Sequence, residues 1–234
     1  MAHREQLGAV AAMTTAIRAR ELYRFFRAGD EETLALRGVS LSAEPGEQVV
    51  VAGPSGSGKS TLLNCLAGLD EPDGGAVYVD DRRISHRPES ERAALRLRHV
   101  GVLRQGGNLI EHLNVAQNVG LVRRLAGRAH TAPEVAERLE AVGLSDRAHA
   151  YPSELSGGES ARAGLAVALA NDPVVIIADE PTGELDAASE LRLLNLLSTK
   201  AKGGTAVVIA SHSAAVAAAA DRVLRLRDGR VIPS

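Results

Sequence analysis

Three continuous apolar runs limit the fold of this chain most: Gln48–Ala52, Val174–Ala178 and Ala206–Ala210. Each is rich in valine or isoleucine and lacks the apolar–polar alternation of a strand with one wet face. Such runs belong to strands covered on both sides, as in a parallel sheet with helices packed on each face. The first run ends at a glycine-rich loop, the second at Asp179-Glu180 and the third at Ser211-His212. Ligands of open α/β sheets bind beyond the carboxyl ends of the strands, so the chemistry is expected along one rim of one sheet.

The rest of the chain has a different texture. Residues around 108–170 read mostly as helix. Pro133-Glu134 opens a segment with Val135, Leu139 and Val142 at three-to-four spacing, and Gly143 ends it. This predicts a helical subdomain, roughly residues 107–168, inserted between two halves of the sheet. Arg18 to Gly46 and Ala76 to Ile84 carry short alternating runs, such as Val77-Tyr78-Val79, that predict smaller antiparallel strands. There is no internal repeat and no low-complexity linker. A chain of 234 residues is then one domain over 17–234, preceded by an extension over 1–16 that is expected to be mobile.

Composition excludes several classes. A formal net charge of -2 gives no electrostatic footprint for nucleic acid. Cys65 is the single cysteine and sits among Leu62, Leu63, Leu66 and Leu69, so it reads as a small core residue in a reducing compartment. No apolar run approaches the ~18 residues of a membrane span. Leu7 to Met13 is too weak for a secretory signal. Any link to a membrane is therefore expected through a partner.

The loop Gly53-Pro54-Ser55-Gly56-Ser57-Gly58-Lys59-Ser60 follows one predicted strand and precedes an apolar helix predicted over Thr61–Leu69. That is the context of a phosphate-binding loop. Backbone amides cradle the β-phosphate region, Lys59 reaches the β/γ-phosphates and Ser60 binds Mg²⁺. Asp179, ending the second run, is placed to share that Mg²⁺, and its neighbour Glu180 to polarise an attacking water as general base. Leu155-Ser156-Gly157-Gly158-Glu159 is a second anion cradle, again small residues ahead of a helix. Two cradles in a single-domain chain imply that each completes a site with its counterpart on another copy, giving an ATPase assembled by dimerisation.

These segments, with Thr61 after the loop and Ala178-Asp179-Glu180-Pro181-Thr182-Gly183-Glu184-Leu185-Asp186, resemble the ATP-binding subunits of ABC transporters. The likeness runs from about Arg18 to the C-terminus. Gly68-Leu69-Asp70 and the Ala-Asp-Glu-Pro-Thr-Gly string are similar to the branch serving macrolide exporters, lipoprotein-release complexes and the cell-division permease complex. The resemblance implies a P-loop NTPase fold with a RecA-like parallel core, an antiparallel β subdomain and the inserted helical subdomain. It implies ATP and Mg²⁺ as ligands. Gln105 takes the place of a glutamine that approaches Mg²⁺ and the attacking water, His212 of a histidine on the γ-phosphate, and Asp186 of an aspartate crossing the dimer interface. Ser156, Gly157 and Gly158 then close over the partner's ATP.

An aromatic stacking on adenine is also implied. The chain has two Phe and three Tyr, and three of these five cluster at Tyr23, Phe25 and Phe26. Register against Leu22 points to Phe26, with Tyr23 as the alternative and a plain hydrophobic anchor as the bland reading. Partners implied by the resemblance are a second ATP-binding subunit and an integral permease received around Gly107–Val119. The expected location is the cytoplasmic face of a membrane. A soluble ABC-type ATPase is the rival, but its coiled-coil insertion or tandem duplication is missing. Arg104, where the family has Phe, and Ser160, Ala161 and Val167 in the signature's flank depart from the pattern. None of them is a phosphate, metal or water ligand.

Overall fold

The computed structural model describes residues 15–28, 31–105 and 108–232. Most of the expected N-terminal extension, and Gly107 at the expected start of the helical subdomain, lie outside the described residues. In chain order the elements begin with β1 (Ile17–Ala28), β2 (Glu31–Ala43), β3 (Gln48–Ala52) and α1 (Lys59–Leu66). Next come β4 (Gly74–Val79), β5 (Arg82–Arg83), α2 (Glu89–His99) and β6 (Val100–Arg104). The helical part follows as α3 (Val115–Leu125), α4 (Ala132–Glu140) and α5 (Gly157–Leu169), with short 3₁₀ turns at Ser145–Arg147 and Pro152–Glu154. The chain closes with β7 (Val175–Asp179), α6 (Ala187–Lys202), β8 (Ala206–Ala210), α7 (Ala214–Ala218), β9 (Arg222–Arg227) and β10 (Arg230–Ile232).

Two sheets result. One is antiparallel in the order β2-β1-β4-β5, and the other runs β10-β9-β3-β8-β7-β6. In the second, β9, β3, β8, β7 and β6 are mutually parallel and only β10 is antiparallel. Both faces of this sheet are buried, by different partners. Val49, Val51, Val175, Ile177 and Val208 pack with Leu62 and Leu66 of α1 and with Ile17 and Val77 of the antiparallel sheet. The alternate residues Val50, Ile176, Val207 and Ile209 pack with Leu165 of α5, Leu193 and Leu197 of α6, and Val119 and Leu139 of the helical part. Each such side chain contributes roughly 1.5–3 kcal/mol by burial, and the one polar residue of the three runs, Gln48, stands at the half-buried end of β3.

Local boundaries differ from the sequence reading at informative places. Helix α1 starts at Lys59 rather than Thr61, because the left-handed Gly58 (φ 101) turns the loop directly into the first helical turn. It ends at Leu66 rather than Leu69, where Gly68 adopts φ 66 and Leu69 donates back to Asn64 O at 2.9 Å. Strand β7 begins one residue later than expected, so Asp179 is its last residue. Residues 108–114 are not helical. Strands β6, β9 and β10 and helices α2 and α6 were not anticipated from the sequence.

Candidate nucleotide-binding site

The phosphate loop spans the gap from the end of β3 to the start of α1. Its last glycine is forced: a Cβ on Gly58 would lie 2.4 Å from Ala35 O of β2, and the residue already has positive φ. Helix α1 has no side-chain N-cap and no acidic residue in its first turn. Its leading amides are therefore free of the usual competing acceptors, the condition for holding an anion. Lys59 Nζ donates to Gly53 O at 2.9 Å and to Pro54 O at 3.0 Å, which folds the ammonium back over the loop. Ser57 is buried, with its hydroxyl unpartnered.

A cleft of about 490 Å³ opens in front of this loop. Ser55, Gly56, Gly58, Lys59, Ser60 and Thr61 line it, together with Glu180 and Phe26. Phe26 is 42% exposed. Tyr23 is directed elsewhere, lying against Gly38 and Gly74. The remaining wall comes from Thr33, Leu34, Ala35 and Arg37 of β2 and from Asp228-Gly229. Sequence reasoning missed these residues. A signal for the last pair was present: Asp-Gly between the alternating Arg222–Arg227 and Arg230–Ile232 marks a two-residue hairpin.

The acids stand at the ends of neighbouring strands. Asp179 pairs in register with Arg104 of β6 and Ala210 of β8. Its Oδ1 is buried without a hydrogen-bond partner. A buried, unpartnered carboxylate oxygen is costly unless a cation or donor completes it. The all-oxygen pair of Asp179 carboxylate and Ser60 hydroxyl suits Mg²⁺, so the residues present fit that ion. Glu180 has φ 45, a strained conformation for a non-glycine residue. Its N–H is tied to Ala210 O at 2.9 Å. His212 Nδ1 hydrogen-bonds Glu180 Oε1 at 3.1 Å, while Oε2, 3.0 Å away, lies off that bond's direction and has no partner of its own.

Gln105 follows β6, its N–H donating to Asp179 O at 3.1 Å. Its side-chain amide donates to Glu184 Oε1 at 2.9 Å, linking the segments after β6 and β7. Arg104 does not line this cleft but lines a separate groove with Val102 and Asn108.

The second cradle stands apart. Among the described residues lining the cleft, none comes from Leu155–Glu159, and Asp186 is not among them. Ser156 is the N-cap of α5, accepting from Glu159 N at 3.3 Å while Glu159 Oε2 accepts from Ser156 N at 2.9 Å. The Ser156 N–H and hydroxyl, followed by the Arg147 guanidinium at 2.8 Å, pull the Glu159 carboxyl down to about 2. Asp186 caps α6, accepting from Ser189 N at 2.9 Å and Ser189 Oγ at 2.8 Å, and these bonds hold its carboxyl below the ordinary range. The two helices cross closely: a Cβ on Gly158 would lie 2.5 Å from Ser189 Oγ.

Comparison with known proteins gives this arrangement a family. The model of the ABC transporter family matches residues 36–183, from β2 through the phosphate loop and the signature to the acids after β7. An ABC transporter ATP-binding protein of Methanocaldococcus jannaschii is 39% identical over 218 residues, 92% of this chain and 97% of that one. This chain belongs to the ABC transporter family. It is an ABC ATPase cassette with a P-loop NTPase fold. The macrolide export ATP-binding/permease protein MacB of Hyphomonas neptunium is 41% identical over 218 residues, but the cassette spans only 34% of its length. The cassette MJ0796, solved as a dimer in a post-hydrolysis state bound to ADP and Pi, superposes with a TM-score of 0.86 at 33% identity, covering 93% of this chain and 97% of that one.

Proposed function

We propose that this cassette is the ATP-hydrolysing subunit of a membrane transporter, working as a head-to-tail dimer against a separate permease. The observation that carries the proposal is the separation of the two cradles. The phosphate loop and Glu180 share one cleft, while Ser156, Gly157 and Gly158, at the start of α5, are not among the residues that line it. A second copy turned end for end supplies the missing wall. The dimeric MJ0796 cassette and the ATP-binding/permease name of the MacB relative support this reading.

In that site the loop amides and Lys59 bind and orient the phosphates, and Phe26 receives the base. Ser60 and Asp179 would hold Mg²⁺, with Gln105 beside them. The ion supplies charge neutralisation at the phosphoryl oxygens. Glu180 accepts a proton from the attacking water, and His212 fixes the orientation of that carboxylate. Asp186, from the partner, crosses the interface with α6. Closing two copies over ATP and releasing them after hydrolysis is a ligand-driven population shift, which the permease converts into movement. No helix among the described residues is long and apolar enough to cross a membrane. A peripheral position at the cytoplasmic face, held by the permease, follows from the proposal.

Mixing a Ser156→Arg chain with a Lys59→Ala chain tests the shared site. Each homodimer has both sites damaged, whereas the mixed dimer has one intact site and recovers part of the ATPase rate. Mixed dimers without recovery would count against the head-to-tail arrangement.

A further inference from the structure

One face of the Phe26 ring is occupied within the chain itself. The Arg24 guanidinium lies over it, 4.8 Å from the ring centroid. The ring nonetheless remains 42% exposed and borders the cleft. Arg24 is held in place. Its Nε and one terminal nitrogen donate to the two oxygens of Asp70 at 3.0 and 2.9 Å, and the other terminal nitrogen donates to Asp73 Oδ2 at 3.0 Å.

The two carboxylates are anchored in turn. Asp70 follows the end of α1, its N–H bonded to Asn64 O at 3.1 Å, and Asp73 N–H donates to Tyr23 O at 2.9 Å. Asp73 Oδ2 also accepts from the Phe25 amide at 2.7 Å, fixing the backbone beside the ring. The Phe25 amide, and then Arg24, hold the Asp73 carboxyl below the usual carboxylate range. Helix α1 thus reaches the cleft twice: its N-terminus faces the phosphate end, and its C-terminal turn acts through Asp70 and Arg24 on Phe26.

We infer that Arg24 is a positioning residue for the nucleotide base, clamped by Asp70 and Asp73 so that it holds the Phe26 ring as a stacking platform with its free face toward the cleft. This rests on the proposed nucleotide site. An exposed phenylalanine ring turns freely, and a base that stacks on it must first stop that motion. A planar guanidinium stacked on the opposite face stops it in advance, because cation–π attraction and the fixed fork of three hydrogen bonds act on one rigid group. Lysine in its place keeps the charge and can still pair with Asp70 and Asp73, but has no plane to lay on the ring.

The test is calorimetric titration of the full chain with ATP and with inorganic tripolyphosphate, both with Mg²⁺, the second ligand lacking a base. Arg24→Lys and Arg24→Ala should each weaken ATP about three- to tenfold, leaving tripolyphosphate within about twofold of the parent. Phe26→Ala should weaken ATP at least as much, and adding Arg24→Ala to it should change ATP binding no further. Arg24→Lys preserves the ion pairs, so it keeps the test open if Arg24→Ala does not fold. Unchanged ATP binding in Arg24→Lys, with Phe26→Ala weakened, overturns the inference and leaves the nucleotide site standing. Parallel loss of tripolyphosphate, or full additivity with Phe26→Ala, overturns it as well, because Arg24 would then act independently of the ring. Unchanged ATP binding in Phe26→Ala removes the base from this position, and the inference with it.

Discussion

His212 Nδ1 meets the Glu180 carboxylate at 3.1 Å from Oε1 and 3.0 Å from Oε2, joining the residue after β7 to the loop after β8. The contact orients a carboxylate whose backbone is already held at φ 45. If Glu180 takes the proton from water, Glu180→Gln should lower kcat by about 10²–10⁴-fold. ATP affinity should change little, because an amide of the same shape keeps the cleft wall. Phosphate release and ATP titration on one preparation check this. His212→Ala should also lower kcat, and the double variant should be little worse than Glu180→Gln alone. Normal turnover by Glu180→Gln would remove the base from this position.

Asp179 Oδ1 is buried and unpartnered. Asp179→Asn should raise the Mg²⁺ concentration needed for half-maximal ATPase activity roughly tenfold or more, since it removes a charged oxygen ligand. ATP binding in excess EDTA should be much less affected. A Mg²⁺ dependence identical to the parent's would show that this oxygen does not serve the metal.

Gly158→Ala should destabilise the fold as well as the signature. The new methyl would meet Ser189 Oγ at 2.5 Å and Ser189 Cβ at 2.9 Å, so α5 and α6 must move apart. A cost of about 1–3 kcal/mol is expected from such overpacking, read as a lower urea midpoint without nucleotide. An unchanged midpoint would mean that this crossing is looser than the distances imply.

Glu159 links folding to pH. Its carboxyl lies at about 2 in the folded chain against an ordinary 4.5. The depressed value means that its stabilisation is fully present above about 4.5 and is lost as pH falls toward about 2. Glu159→Gln keeps the capping box of α5 but removes the titrating charge. The difference in urea midpoint between parent and variant should therefore shrink as pH falls through that window. A difference independent of pH would assign the stabilisation to the cap alone.

The strands at the heart of the parallel sheet were legible because their burial on two faces is written locally, in the consecutive buried residues Val49–Val51 and Ala206–Ala210. The phosphate loop was legible for the same reason: its glycines and Lys59 are contiguous. Strand β6 was not, since Val100–Arg104 is short, contains Gly101 and ends in an arginine. The cleft wall from Thr33 to Arg37 was equally silent. Those residues owe their place to β2 lying against Gly58 and to Arg37 N–H bonding Gly229 O at 2.8 Å.

Local pattern thus decided the three central strands of the parallel sheet, the two glycine-rich segments ahead of helices and the acidic pair at a strand end, because each depends on neighbours in the chain. Tertiary packing decided which of these meet. Parallel register brings the ends of β3, β8, β7 and β6 to one rim, so Glu180 reaches His212 across 32 positions and Gln105 reaches Glu184 across 79. The same packing keeps Ser156 out of the cleft that holds Lys59, a separation invisible in a one-dimensional motif order. The Arg24 clamp on Phe26 also belongs to packing. Its carboxylates lie after α1, 46 and 49 positions away, and only the docking of that helix against β1 brings them together.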